Sequence, residues 1–371
     1  MSKKKKKIKI KNILMVLLTI FLIFFCIFML YKIFSTLGEK NSKKDDNKVL
    51  KEKKKTIKKE KIGEAPVIKL YGIEDMKLVK NGVYEELGAS ATDKEDGDIS
   101  SSIKIDNKID TTKPGDYVVS YSVTDKDKNK TTIERKVKIF EVTEKDTDGI
   151  SVFMYHYFYD DTIGETGEDN NYISKTNFNN QLKYLHDNDY YIPNMKEVRK
   201  YVDGELELPE KSCVITMDDA HADNYTIAYP AAIEHKIPIV LFAVTSWTDV
   251  QNEYQQSMIQ TGYARFQSHT HDMHQGGCSG QGHGGLFQCI PHDQGVEDLK
   301  TSAKIVGNSD SVAYPFGDYS DNTIQIMKDA GFSLGFTTEN GQIHVGDDPY
   351  KLSRMRINGD ISLDTFVSQL K

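Results

Sequence analysis

Three patterns of apolar and polar positions follow one another along the chain. Residues 13–30 are almost unbroken apolar, long enough for a membrane helix, which needs about 18 such residues. Between residues 66 and 140, apolar and polar positions alternate in short runs at 67–70, 102–105, 117–123 and 131–140, separated by Gly, Asp and Pro. Period two with such turns predicts β-strands, and this length suits a small sandwich. From residue 149 onward, short apolar runs at 149–156, 213–217, 237–245, 263–268, 311–314, 333–337 and 351–357 alternate with helical stretches. Ser174 or Thr176 can cap a helix carrying Phe178, Leu182 and Leu185 on one face. Further helices are expected at 195–202, 223–236, 296–306, 322–330 and 363–370. Strands alternating with helices predict a parallel sheet.

Lysines 3–7, Lys9 and Lys11 precede the first apolar run, and Tyr31 and Lys32 follow it. These flanks fit an uncleaved transmembrane helix at 13–34 behind a cytoplasmic basic tail at 1–12, which places the rest of the chain outside the cell. A signal peptide is the alternative, but its apolar region is shorter and no small-x-small cleavage site is present. Residues 35–64 are Lys-rich and poor in large apolar residues, as expected of a solvated tether. Charge divides accordingly. Residues 1–61 hold 19 lysines against five acids, and the remainder holds 29 basic residues against 50 acids. An acidic globular body argues against nucleic acid as its partner.

Candidate chemistry gathers at two strand ends. The run 213–217 leads straight into Asp218 and Asp219. Adjacent carboxylates repel, so burying both needs a counter-charge, which a divalent metal supplies. The run 263–268 leads into His269, His271 and His274, and histidine nitrogens are the usual ligands for such a metal.

These residues carry a resemblance. Thr216-Met-Asp-Asp-Ala220, His269-Thr270 with His274, and Ala313-Tyr-Pro-Phe-Gly317 resemble, in order, the three motifs of the polysaccharide deacetylases, the NodB homology domain of carbohydrate esterase family 4. The histidine spacing is similar to the branch that includes poly-N-acetylglucosamine deacetylases. The likeness covers roughly 149–371 and implies a distorted, incomplete (β/α) barrel. It implies one divalent metal on Asp219, His269 and His274, zinc first, with cobalt, nickel or manganese as substitutes. Asp218 is then the general base, and the Phe316 N–H is the oxyanion donor, with Tyr314 and Pro315 beside it. The general acid is His156, at the end of the first strand, or His344. His271 and Asp272 are expected to support the ligands. Two positions depart from the pattern: Ala313 replaces the arginine that braces the base, and Ala220 replaces a glycine.

The words Ala91-Thr-Asp-Lys-Glu-Asp-Gly-Asp98, Lys113-Pro-Gly-Asp-Tyr117 and Tyr121-Ser-Val-Thr-Asp125 resemble bacterial immunoglobulin-like repeats, which implies a spacer domain over 65–142. Asp93, Glu95, Asp96 and Asp98 are a candidate calcium cluster. Cys213 is expected to be a buried, inert thiol. Cys278 and Cys289 bracket a Gly-rich loop and are expected to form a disulfide outside the cell, a zinc knuckle with His283 or His292 being the alternative.

The expected function is a membrane-anchored, extracellular, metal-dependent N-deacetylase of an envelope glycan. Peptidoglycan comes first as substrate and poly-N-acetylglucosamine second. An inactive glycan-binding homologue and a two-histidine, one-carboxylate iron oxygenase are the competing classes. The adjacent aspartates and the α/β alternation oppose the oxygenase.

Overall fold

The period-two segments form two facing sheets. The structure, a computed structural model, describes residues 63–247, 258, 259, 261–359 and 361–370. The expected membrane helix at 13–34, the tail at 1–12 and nearly all of the tether lie outside the described residues. No described helix is long and apolar enough to cross a membrane. In the first domain, β1 (Val67–Leu70), β3 (Ala89–Asp93) and β4 (Gly97–Asp98) make an antiparallel sheet. Opposite it, β2 (Asp75–Val79), β7 (Lys130–Phe140), β6 (Gly115–Thr124) and β5 (Lys104–Asp106) run in that spatial order, with β2 parallel to β7. Alternate residues point inward, so Val119, Tyr121 and Val123 of β6 meet Ile68 and Ala91 in the core. The acids proposed for calcium serve turns instead. Asp93 accepts the N–H groups of Glu95 and Asp96, Asp96 pairs with Lys126, and Asp98 holds Ser100.

The second domain is a curled parallel sheet of seven strands. They are β8 (Ser151–Tyr155), β11 (Cys213–Met217), β12 (Ile239–Ala243), β13 (Ala264–Ser268), β14 (Ser311–Ala313), β15 (Leu334–Phe336) and β16 (Met355–Arg356). Their spatial order is β15-β14-β13-β12-β11-β8-β16. The curl brings the two edges together at one bridge, Phe336 with Leu352. A short pair, β9 (Tyr157–Tyr159) and β10 (Tyr172–Ser174), stands beyond the end of β8. The sequence pattern named no element between residues 157 and 173.

Strand parity sorts the side chains. Phe153, Tyr155, Ile215, Met217 and Leu241 face outward, where α1 (Lys175–Asp187) covers them with Phe178, Leu182 and Leu185. Val152, Val214, Val240 and Phe242 face inward. There α2 (Met195–Val202) plugs the end of the barrel where the strands begin, with Met195, Val198 and Val202 buried. The expected helix at 223–236 is broken into a π-turn, Asn224–Ala228, and a short α3 (Tyr229–His235) with Pro230 in its first turn. A proline lacks the N–H that a continuous helix needs. Then come α4 (His292–Val306), α5 (Asp321–Ala330) and α6 (Leu363–Ser368).

Both domains fall within one compact unit, Lys61–Lys371. Val79 of β2 joins the inner core beside Met195 and Val198. Glu197 is buried and accepts from the Val83 N–H at 3.0 Å and from the Tyr191 hydroxyl at 2.9 Å. It also closes the capping box that starts α2.

Candidate active site

On β11, Val214, Thr216 and Asp218 share the inward parity, so Asp218 ends the strand aimed into the barrel mouth. The chain then turns through left-handed backbone at Asp219 (φ 70°) and Ala220 (φ 51°). Ala220 thus adopts the torsion for which a glycine is favoured, at some steric cost. The turn swings Asp219 toward the end of β13. There His269 and His274 point Nε2 at Asp219 Oδ1, at 3.6 and 3.3 Å. Thr270, between them, is also left-handed at φ 70°. Such outliers are expected where a site constrains the backbone.

The donor set fits a divalent metal. Asp219 Oδ1 is buried and has no hydrogen-bond partner, although a buried carboxylate oxygen ordinarily finds one. It lies with the two imidazole nitrogens in a cluster whose ligand atoms are all within 4.8 Å of one another, the only such group among the described residues. The other oxygen, Oδ2, accepts from the Tyr157 hydroxyl at 2.6 Å. His269 donates through Nδ1 to the Ala313 carbonyl at 2.8 Å, which turns Nε2 to the cluster. Ala313 therefore serves the site through its backbone. Burial and the neighbouring His269 push His274 down to about 4, so its nitrogen stays unprotonated near neutrality.

The missing arginine of the third motif is supplied from the residue just before β16. Arg354 is fully buried and meets Asp218 with two parallel contacts, Nη1–Oδ1 and Nη2–Oδ2, both at 2.7 Å. It also donates through Nε to the Thr337 carbonyl and through Nη1 to Thr216. Burial raises the Asp218 carboxyl, but Arg354 more than reverses this and holds it well below the usual carboxylate range. Sequence reading missed Arg354; its one signal was an arginine placed within an otherwise short terminal strand.

His156 lies just past β8, on the inward parity of Val152, and feels the charges of both Asp218 and Asp219. Burial lowers its imidazole below the ordinary value, against those two charges. Its Nδ1 is buried without a partner. Asn224 fixes the strand end by donating to the His156 carbonyl at 2.9 Å. His344 is elsewhere. It contacts the Asp148 carbonyl at 3.0 Å, at the opposite end of the barrel, where β8 begins. It is therefore removed as a candidate acid.

Phe316 is left-handed at φ 60° within the turn Pro315–Gly317. Bonds from Gly317 and Asp318 close that turn and leave the Phe316 N–H outside them. Its ring stands 4.6 Å from His274. Tyr314 does not line the mouth: it is buried against Phe287 and Tyr319, and its hydroxyl donates to the Tyr350 carbonyl. Pro315 is buried at the start of the turn. His271 and Asp272 shape the ligand loop. Their N–H groups donate to the carboxylate of Asp298 on α4 at 2.8 and 2.7 Å, and the His271 ring meets Thr245.

The expected disulfide is not formed. Cys278 and Cys289 are free thiols, one buried and one exposed, with Cys289 Sγ turned toward the Gly277 carbonyl at 4.0 Å. The hydrogen bond between the two thiols, with burial, pushes Cys278 up to about 11. The loop between them is anchored instead by Asp318, which accepts from the N–H groups of His283 and Gly285. His283 is thus occupied by Asp318 and His292 by Asp329, so neither joins the cysteines in a knuckle. Gly285 lies so close to Phe316 that a Cβ there would come within 2.9 Å of its ring.

Residues 68–139 match the family model for a bacterial surface protein Ig-like domain, and residues 205–335 match that for polysaccharide deacetylase. A poly-β-1,6-N-acetyl-D-glucosamine N-deacetylase of Staphylococcus aureus (strain MRSA252) is 27% identical over 223 residues, 56% of this chain and 75% of its own length. The solved structure of the Streptococcus pyogenes deacetylase PplD in complex with acetate aligns with a TM-score of 0.52 at 23% identity, over 61% of this chain and 100% of its own. That likeness speaks to the fold.

Proposed function

We propose that the chain, whose residues 205–335 match the polysaccharide deacetylase model behind a bacterial surface Ig-like match, is a hydrolase of N-acetyl amide bonds and that its substrate is a poly-β-1,6-N-acetylglucosamine polymer of the cell envelope. The observation that carries the reading is the convergence of Asp219, His269 and His274 beside an Asp218 locked by Arg354. The relative named for that polymer supports the choice of glycan. Peptidoglycan, which the Lys-rich tether at 35–64 would favour, comes second. The apolar run at 13–30 with its lysine flanks supports a membrane anchor and an extracellular catalytic domain.

The two-nitrogen, one-oxygen donor set suits zinc. Asp219, His269 and His274 would hold such an ion, and it would supply Lewis acidity toward the amide carbonyl and lower the pKa of the attacking water. Asp218 takes that water's proton; its two bonds to Arg354 fix its direction and leave a lone pair on each oxygen free. The Phe316 N–H faces the oxygen on which negative charge develops. The carbon–nitrogen bond then breaks, acetate leaves, and His156, neutral at rest, passes to the sugar amine the proton that Asp218 took from the water.

Acetate release by the full chain from poly-β-1,6-N-acetylglucosamine and from peptidoglycan, with and without chelator, tests this. Release from the first polymer, lost with chelator and in Asp218→Asn, is the expected result. Preference for peptidoglycan would reverse the substrate order. Absence of release from both after metal loading would leave a glycan-binding homologue.

A further inference from the structure

A band of aromatic rings crosses the metal centre. On the His274 side stand Phe316, at 4.6 Å, and Trp247, edge-on at 5.6 Å. On the Asp219 side stands Tyr157, bonded to Oδ2, with Tyr172 at 5.0 Å and His221 at 5.4 Å from its ring. Among the described residues, the exposed large hydrophobic side chains include two aromatics, Trp247 at 38% and Phe316 at 39%, and both lie against the same ligand histidine. Large aromatic rings are ordinarily well covered in a folded chain, so two left open at one point mark a binding surface.

The chemistry of the rings says what they cover. A β-linked pyranose presents C–H groups on its two faces, and these carry partial positive charge. An aromatic face is electron-rich and apolar, so the two stack. Rings gathered around one point would grip one sugar. Here they extend to both flanks of the ligand cluster, which matches an extended chain. We propose that Trp247 and Phe316 on one flank, and Tyr172 on the other, are stacking platforms for the sugar units on either side of the one being deacetylated. The site then works on the interior of a β-linked glycan. This rests on the deacetylase reading above.

Trp247 is the only tryptophan in the chain, so its emission reads one platform without a label. The full chain, stripped of metal by chelator so that no turnover occurs, is titrated with β-linked N-acetylglucosamine oligomers of increasing length. Asp218→Asn with metal present is titrated in parallel. The emission should change saturably, and affinity should rise with length. Tyr172→Ala should weaken binding of the longer oligomers about tenfold, the worth of one good aromatic contact, and leave the monosaccharide unaffected. In the metal-loaded enzyme, Trp247→Ala should raise KM for long oligomers by about the same factor and preserve kcat. Oligomer binding seen by calorimetry with silent Trp247 emission would overturn the platform, as would affinity independent of length. If no oligomer binds but the wild type still releases acetate from polymer, the platforms fail alone. If acetate release fails too, the deacetylase reading fails with them.

Discussion

Asp218 can be buried beside a second carboxylate because Arg354 meets both of its oxygens. Removing one partner of such a buried pair leaves the other charge stranded, at a cost of about 3–5 kcal/mol. Arg354→Ala should therefore lower the melting temperature sharply and abolish acetate release. Arg354→Lys should recover little of either, since an ammonium cannot make the paired contact. Tyr157 acts on the other aspartate. By occupying Oδ2 it leaves Oδ1 alone to face the two histidines. Tyr157→Phe should weaken zinc affinity about 10- to 100-fold, measured by competition with a chromophoric chelator; unchanged affinity would remove Tyr157 from the site. His274 gives the metal-free chain a pH signature. Its folded pKa, about 4, lies below the unfolded value of about 6.5. Above pH 6.5 the group is neutral in both states and costs nothing. As pH falls from there toward 4, only the unfolded chain takes the proton, so stability drops by about 3 kcal/mol. Melting of the metal-free chain across that range should show the loss, and His274→Asn should flatten it.

At the scale of elements, the corners after the strands carry the site's groups, and two of those corners are tied together. Asp318, next to the Phe316 turn, accepts the N–H groups of His283 and Gly285 and so presses the Gly-rich loop onto Phe316. Asp318→Ala strands both donors, at a cost of about 2–4 kcal/mol. The loop should become sensitive to protease, with acetate release reduced through KM. Protection equal to the wild type would show that the loop holds itself. Most of the barrel strands were legible because they are short apolar runs buried on both faces. The cluster of Asp219, His269 and His274 was legible for a related reason, since its residues follow such runs directly. Where side chains are small or alternate weakly, legibility failed. Asp75–Val79 and Ala89–Asp93 carry too little apolar contrast to read as strands, yet they complete the sandwich. Tyr157–Tyr159 and Tyr172–Ser174 pair with each other across a long acidic loop, a partnership no local pattern encodes. Arg354 was hidden for the same reason, because its partner is far away in sequence.

At the scale of the molecule, the Ig-like domain docks on α2, at the barrel end remote from the metal ligands. Val79 enters the barrel's inner core, Asn194 donates to the Val83 carbonyl at 3.1 Å, and Lys196 pairs with Glu85 at 2.7 Å. A cleft of about 1150 Å³ runs along this junction, lined by residues of both domains. Glu197 is the pin. Glu197→Ala leaves the Val83 N–H and the Tyr191 hydroxyl without their acceptor and should cost about 2–4 kcal/mol. Small-angle scattering should then show a larger radius of gyration, and turnover of short oligomers should stay within about twofold of wild type. A matching loss of turnover would mean that the junction transmits to the mouth.

The seam of the barrel has a consequence in time. Asp218 and Arg354 are 136 residues apart, and Arg354 lies between the Leu352 bridge to Phe336 and the strand β16 that joins β8, so both contacts bring it to its place. A ribosome delivers Asp218 long before its counter-charge. Until the final strand arrives, the nascent domain has an unpaired carboxylate at its centre and an open edge along β8. A product truncated before Arg354 would thus lack both the counter-charge of Asp218 and the helix α6, whose Phe366 packs on Phe153 at 4.7 Å.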